Sequence, residues 1–166
     1  DKNIQPGNIY KLTDVLSGIK CHRKDCYINI NKLKKQAIIA SFFSGELRAY
    51  GNKSDLLRKT IPIFLEITPE CDYAQKKWKS SRLVLGVLWP ETYLSQLNKG
   101  DYIYKPLQIK YKNTVYFLTF NAHYLFNVAF SALESKSSIL KSRKELLVDI
   151  QQWFAGHISR PGKTEF

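Results

Sequence analysis

Two short, nearly continuous apolar runs lie in the middle of the chain and predict buried strands. The first is IPIFLEI, residues 61–67, and the second is RLVLGVLW, residues 82–89. Branched and aromatic residues dominate both runs, and Pro69 and Pro90 follow them closely. Apolar runs of this length, bounded by breakers, are typical of strands that are buried on both faces. We therefore expect the two runs to pair within a sheet.

Weaker patterns on the N-terminal side predict shorter elements. PGNIYKL, residues 6–12, alternates after a turn signal and predicts a first strand or turn. NKLKKQAIIASFF, residues 31–43, has apolar residues at helical spacing, but its second half is equally compatible with a strand. The polar segment GELRAYGNKSDLLRK, residues 45–59, contains two glycines and predicts a loop or an insertion.

The segments that follow the central runs predict a short helix and a hairpin. PETYLSQLNKG, residues 90–100, begins with a proline and ends with a glycine, as short helices do. YIYKPLQIKY, residues 102–111, and NTVYFLTF, residues 113–120, are rich in tyrosine and predict two strands. We expect these strands to be joined near Lys112 and Asn113.

The C-terminal part predicts an amphipathic helix from Arg143 to His157. Ser142 and Glu145 have the spacing of a capping box. Apolar residues then recur at helical intervals, at Leu146, Leu147, Ile150, Trp153, Phe154 and Ile158. The order of elements indicates an α+β domain, with a bent antiparallel sheet or small barrel and a C-terminal amphipathic helix. The length predicts a single domain, residues 1–166, with a loop or helix insertion at about 20–60.

Charge and composition narrow the classes of partner. The chain carries 26 Lys and Arg against 14 Asp and Glu, a formal charge of +12. This excess favours RNA, DNA or an anionic surface, although a solvated lysine surface would have the same composition. Because no apolar run approaches the roughly 20 residues of a membrane span, we expect no membrane insertion. An odd number of cysteines without a signal peptide predicts a cytoplasmic protein, and the absence of methionine predicts a piece of a longer product.

The segments GNIYKL, RKTIPIFLEI, RLVLGVLW and TVYFLTF, followed by the terminal helix, occur in an order that resembles the PemK/MazF-type toxins. The resemblance covers most of the chain. It implies an SH3-like barrel, ribosome-independent endoribonuclease activity, and a protein partner such as an antitoxin. Arg58 and Thr92 are the nearest matches to the catalytic arginine and Thr/Ser of that family. The Cys-Asp pair, Cys71 and Asp72, is similar to a pattern in bacterial conflict or defence proteins. The alternative function is a non-catalytic interaction or sensor module of a larger bacterial defence protein, which zinc could stabilise.

The connection between the central runs predicts a nucleic-acid contact. QKKWKSSR interleaves cations with an aromatic residue, at Lys76, Lys77, Trp78, Lys79 and Arg82. Cations neutralise phosphates, and an aromatic face stacks on an unpaired base for about 1–3 kcal/mol. Tyrosines of the later strands could extend this platform, at Tyr102, Tyr104, Tyr111 and Tyr116. The alternative is that these aromatic residues fill a bent sheet.

The segment ITPECDY places Cys71 and Asp72 where the first central strand ends. We favour a structural role, in which Asp72 accepts backbone N–H groups in the turn and Cys71 packs as a small apolar side chain. A second hypothesis is zinc, because Cys21, His22, Cys26 and Cys71 supply four suitable ligands. A third hypothesis is a cysteine hydrolase in which His123 lowers the pKa of Cys71. No other cofactor is expected.

Overall fold

The two apolar runs form neighbouring central strands of a six-stranded antiparallel sheet, as predicted. A computed structural model describes residues 5–16, 35–43, 53–69 and 80–158. The strands are β1 (Asn8–Lys11), β2 (Ile61–Glu66), β3 (Ser80–Trp89), β4 (Leu107–Tyr111), β5 (Thr114–Ala129) and β6 (Leu140–Lys141). Their order across the sheet is β4-β5-β3-β2-β1-β6, and every pair is antiparallel.

Helices cover both faces of this sheet. The helices are α1 (Leu12–Leu16), α2 (Lys35–Phe42), α3 (Lys53–Lys59), α4 (Phe130–Glu134), α5 (Lys144–Ile158) and a 3₁₀ helix (Glu91–Gln96). On one face, Leu85 and Val87 pack in a cluster with residues of α1 to α4 and the 3₁₀ helix. On the other face, Val84 and Leu88 pack in a cluster with α5. Burial on both faces explains why the central strands have no alternating pattern.

A bulge in β5 curls the sheet into a half-barrel. Gly86 pairs with Phe120 and Val84 pairs with Leu125, so β5 contains extra residues opposite Leu85. Such bulges bend a strand and increase its twist. A Cβ atom on Gly86 would lie 2.7 Å from the carbonyl oxygen of Thr119, so glycine permits the close approach of β5. The predicted α+β fold with a bent antiparallel sheet and a C-terminal helix is thus confirmed.

Helix α5 agrees with the predicted amphipathic helix to within one residue at each end. Leu147, Ile150 and Phe154 are buried against the sheet. The predicted capping box is not formed, because Ser142 Oγ has no hydrogen-bond partner in the described part of the chain. The backbone N–H of Ser142 instead donates to the carbonyl of Gly7, at 2.9 Å. The start of α5 is therefore tied to Gly7, the residue before β1, and the Ser142 side chain does not cap it.

Three local predictions differ from the structure or are settled by it. The segment predicted as a loop or an insertion over residues 45–59 contains helix α3 in its last part, where Leu56 is fully buried. The first predicted hairpin strand begins only at Leu107, after Pro106, which has no N–H to donate to a neighbouring strand. The ambiguous segment at 31–43 contains the helix α2.

No helix in the described ranges is long and apolar enough to cross a membrane.

Candidate functional site

The ends of β2 and β3 form a corner that is held together by a buried carboxyl group. Glu66 has no solvent exposure, and the backbone N–H of Thr68 donates to its Oε1 at 2.8 Å. The Thr68 hydroxyl also donates to Oε1. The backbone N–H of Arg82 donates to Thr68 Oγ1 at 3.0 Å, and the N–H of Ile67 donates to the Arg82 carbonyl at 2.9 Å. We call Glu66, Ile67, Thr68 and Arg82 the Glu66 corner.

Glu66 titrates at a higher pH than an ordinary carboxyl group. Burial raises the pKa of Glu66 from 4.5 to about 6, while hydrogen bonds from Thr68 and weaker contributions from Ser81 and Arg82 oppose the rise. Within the described ranges, Glu66 Oε2 and Ser81 Oγ have no hydrogen-bond partner of good geometry. Burial also raises the pKa of nearby Tyr10, the Asn8 hydrogen bond lowers it, and the Glu66 charge adds to the rise. A carboxyl group perturbed in this way is a marker of functional sites.

A groove of about 490 Å³ opens beside the Glu66 corner, between α5, the end of β2 and the start of β3. Ile67, Pro69, Leu125 and Phe154 give it apolar walls. The exposed side chain of Arg82 also lines it, and no carboxylate is among the described residues that do so.

Two amides of α5 complete the groove. Gln151 and Gln152 both line it, and Nε2 of Gln151 donates to the carbonyl of Ile67 at 3.1 Å. This bond ties α5 to the Glu66 corner. A guanidinium, apolar walls and amide groups together suit a ligand that has an anionic group and a flat, partly polar body.

The structure brings one of the predicted nucleic-acid contacts, Arg82, into this groove. The other predicted contacts lie outside the described residues, as do both proposed turn residues and all four proposed zinc ligands. These residues are Lys76, Lys77, Trp78, Lys79, Cys21, His22, Cys26, Cys71 and Asp72. Their roles stay predictions. The described ranges contain no group of three or more His, Cys, Asp or Glu side chains that could hold a metal ion.

The predicted catalytic pair lies elsewhere, on the face of the sheet opposite α5. Arg58 is exposed in α3 and forms an ion pair with Asp55 at 2.8 Å, and Thr92 is exposed in the 3₁₀ helix. The hydroxyl of Tyr93 donates to Asp55, which joins the two helices. The pKa of Asp55 is lowered, first by the Tyr93 hydrogen bond, and the pKa of Tyr93 is raised to about 12 by burial and by Asp55. Arg58 and Thr92 thus lie in neighbouring elements, with the Arg58 guanidinium engaged by Asp55.

The four tyrosines of the predicted platform do not form one surface. Tyr104 is buried and its hydroxyl donates to Asp149 of α5. Tyr102 stacks on His123, with ring centroids 4.1 Å apart, and the register of β5 places His123 within the bulge. Tyr111 and Tyr116 lie near the hairpin tip, with ring centroids 6.4 Å apart. Tyr102 is also only partly buried, but it packs on the opposite face of the sheet, so of the four tyrosines only Tyr111 and Tyr116 are partly exposed on the face that carries α5.

Sequence reasoning missed Glu66 and the glutamines of α5. A signal for Glu66 was present, because it is the one charged residue within the apolar run IPIFLEI. A charged side chain in a fully buried strand requires partners or a shifted pKa. No comparable signal marks Gln151, whose role depends on a contact with Ile67.

Comparison with known proteins gives no family for this chain. No family model, no curated protein and no solved structure matches it. The resemblance to the PemK/MazF-type toxins accordingly stays a prediction.

Proposed function

We propose that this chain binds single-stranded RNA, with the groove at Arg82 as the site that holds one nucleotide. The observation that supports the proposal is the exposed Arg82 side chain in a groove whose other described lining residues are uncharged. The predicted cations Lys76, Lys77 and Lys79 precede Arg82 in the chain, and we expect each to add a phosphate contact.

The chemistry of an unpaired nucleotide matches this groove. Ligand pockets of about 300–1,000 Å³ bury small molecules, and the groove falls in that range. A planar base would pack against Leu125 and Phe154, while its phosphate would pair with the Arg82 guanidinium. Amides such as Gln151 and Gln152 hydrogen-bond to base edges. The net charge of +12 raises the rate of encounter with a polyanion.

The test is binding of a mixed-sequence single-stranded RNA, measured by fluorescence anisotropy at low salt. We expect Arg82→Ala to weaken binding about tenfold, because a phosphate loses its only described partner in the groove. Arg143→Ala is the matched control, since Arg143 is exposed before α5 and does not line the groove. Equal affinities of wild type and Arg82→Ala would overturn the groove as the site. A single-stranded DNA of the same sequence measures selectivity for the 2′-hydroxyl.

A second candidate function is endoribonuclease activity with Arg58 and Thr92 as the catalytic pair. It is favoured by the Tyr93–Asp55 hydrogen bond, which holds the two elements that carry these residues together. Incubation with labelled RNA should then give cleavage that is lost in Arg58→Ala and in Thr92→Ala. Lys59→Ala is the control, because Lys59 also pairs with Asp55, at 3.3 Å. Intact RNA after incubation with wild type would contradict this second function.

A further inference from the structure

The turn of the β4–β5 hairpin contains a lysine in an unfavourable backbone conformation. Lys112 and Asn113 form the two-residue connection between the strands, with φ values of 48° and 62°. Two-residue hairpin turns with positive φ at both positions favour Asn and Gly. Asparagine fits this preference, but lysine does not, since its side chain crowds the left-handed region. The side chain of Lys112 therefore stands where glycine would be easier to accommodate.

That side chain lies over an aromatic ring. Lys112 Nζ is 5.5 Å from the ring centroid of Tyr111, and the Tyr116 ring lies beside Tyr111 at an angle of 50°. Both tyrosines are only partly buried. We call Tyr111, Lys112 and Tyr116 the hairpin surface.

The surroundings of the hairpin surface are basic. Lys105 and Lys110 are exposed, and residues 105–118 contain no Asp or Glu. Val115, the cross-strand neighbour of Lys110, is 47% exposed, and this pair lies on the face of the hairpin opposite Tyr111 and Tyr116. Exposed cations beside aromatic rings are the combination that single-stranded nucleic acid binds, through phosphate contacts and base stacking.

The hairpin surface and the groove lie along one strand. Tyr116 and Leu125 both belong to β5, and both pack on the face of the sheet that carries α5. At about 3.3 Å per residue their separation is at most roughly 30 Å, and the intervening bulge shortens it. A single strand of RNA can therefore reach both.

We propose that the hairpin surface is a second RNA contact, at which Tyr111 and Tyr116 stack an unpaired base and Lys112 holds the adjoining phosphate. This inference rests on the proposed RNA-binding function and specifies its ligand further. The ligand is a single strand long enough to extend from the groove to the hairpin tip. Double-stranded RNA, whose bases are stacked on each other, cannot supply the unpaired base.

The experiment compares a 4-nucleotide and a 12-nucleotide single-stranded RNA on matched turn variants. Lys112→Gly removes the cation and relaxes the turn, and Asn113→Gly relaxes the same turn while keeping Lys112. We expect the 12-mer to bind wild type more tightly than the 4-mer. Lys112→Gly should weaken the 12-mer about threefold to tenfold, whereas Asn113→Gly should leave it unchanged. Tyr111→Leu should weaken the 12-mer and Tyr111→Phe should not, because only the latter keeps an aromatic face.

The two proposals fail in different ways in this experiment. Equal binding of the 12-mer to wild type, Lys112→Gly and Tyr111→Leu would overturn the hairpin surface and leave the groove intact. If the 4-mer binds wild type and Arg82→Ala with equal affinity, the groove is not a nucleotide-binding site. The affinity of the 12-mer for Lys112→Gly then still tests whether the hairpin surface binds RNA. Absence of any RNA binding to wild type would overturn both.

Discussion

Thr68 donates both its backbone N–H and its hydroxyl to a single carboxylate oxygen of Glu66, a residue with no solvent exposure. The Thr68 hydroxyl in turn accepts from the backbone N–H of Arg82. The buried carboxyl group of Glu66 is thus linked through Thr68 to the backbone of Arg82, whose exposed side chain lines the groove. Because burial raises the pKa of Glu66 to about 6, the charge on this carboxyl group changes near pH 6.

The first prediction is that Glu66 makes the fold less stable as pH rises from about 4.5 to 6. The folded state binds the Glu66 proton more tightly than the unfolded chain does. The resulting stabilisation of the folded state is complete below pH 4.5, the pKa of Glu66 in the unfolded chain. It is lost as the pH rises through about 6, the pKa of Glu66 in the folded state. A shift of this size corresponds to about 2 kcal/mol. Glu66→Gln stays neutral and keeps an oxygen that can accept from Thr68.

Chemical denaturation of wild type and Glu66→Gln at pH 4 and pH 8 measures this effect. The stability of Glu66→Gln relative to wild type should be about 2 kcal/mol more favourable at pH 8 than at pH 4. Comparing the two proteins cancels the titration of the other carboxylates. A relative stability that does not change with pH would show that Glu66 has an ordinary pKa.

The second prediction concerns the close approach of β5 to β3. Gly86→Ala should destabilise the fold by about 1–3 kcal/mol, because the new methyl group meets backbone and cannot be accommodated by a rotamer change. Gly156→Ala is the control, since a Cβ there has no neighbour within 4 Å and alanine is the better helix former, by up to about 1 kcal/mol. Thermal melts of the two variants should move in opposite directions. A Gly86→Ala protein as stable as wild type would contradict the bulge geometry.

The third prediction concerns the link between α5 and the segment before β4. The Tyr104 hydroxyl donates to Asp149, and Trp153 Nε1 donates to the carbonyl of Asp101 at 3.2 Å. We expect Tyr104→Phe to cost about 1 kcal/mol, below the roughly 1.5–3 kcal/mol typical of bonds to charged groups, because Asp149 is exposed and water can replace the hydroxyl. A double-mutant cycle with Asp149→Asn isolates the pair. A coupling energy of zero would mean that the two groups do not interact in solution.

The fourth prediction separates the interpretations of Cys71 and Asp72. If Asp72 caps the turn, Asp72→Asn should be milder than Asp72→Ala, which should cost about 1–2 kcal/mol. Cys71→Ser should be tolerated and should cause no loss of bound metal. Metal analysis of the purified protein is the decisive measurement. One equivalent of zinc that disappears in Cys71→Ser would refute the structural role and support the site with Cys21, His22 and Cys26.

Local sequence patterns predicted the central strands and the hairpin turn, because neighbouring residues in each of them share the same kind of environment. The runs at 61–67 and 82–89 are apolar throughout because both faces are covered, and Lys112 and Asn113 were placed at the turn by the tyrosine-rich strands around them. Helix α3 was not predicted as a helix, because a single fully buried residue, Leu56, gives no helical periodicity of apolar positions.

The candidate site was predictable only in part, since it depends on contacts between distant segments. Arg82 was predicted from its basic neighbours, and it lines the groove. The α5 side of the groove requires Gln151 to reach the carbonyl of Ile67, which is 84 residues away in sequence. A pattern that repeats within one helix or strand does not encode such a contact. The structure excludes Tyr104 from the predicted stacking platform, because its hydroxyl donates to Asp149. The sequence does not show this contact, since Asp149 lies 45 residues away.

The central claim, that the chain binds single-stranded RNA through its basic residues, is tested most directly by the salt dependence of binding. The measurement is the affinity of wild type and of a Lys76, Lys77 and Lys79 triple alanine variant for one RNA between 50 and 200 mM salt. Each phosphate contact contributes about −0.7 to the log–log slope, because binding releases counterions. We predict a linear decrease for wild type, and a slope shallower by up to about 2 for the variant. Absence of binding by wild type at 50 mM salt, or an affinity independent of salt, would contradict the account.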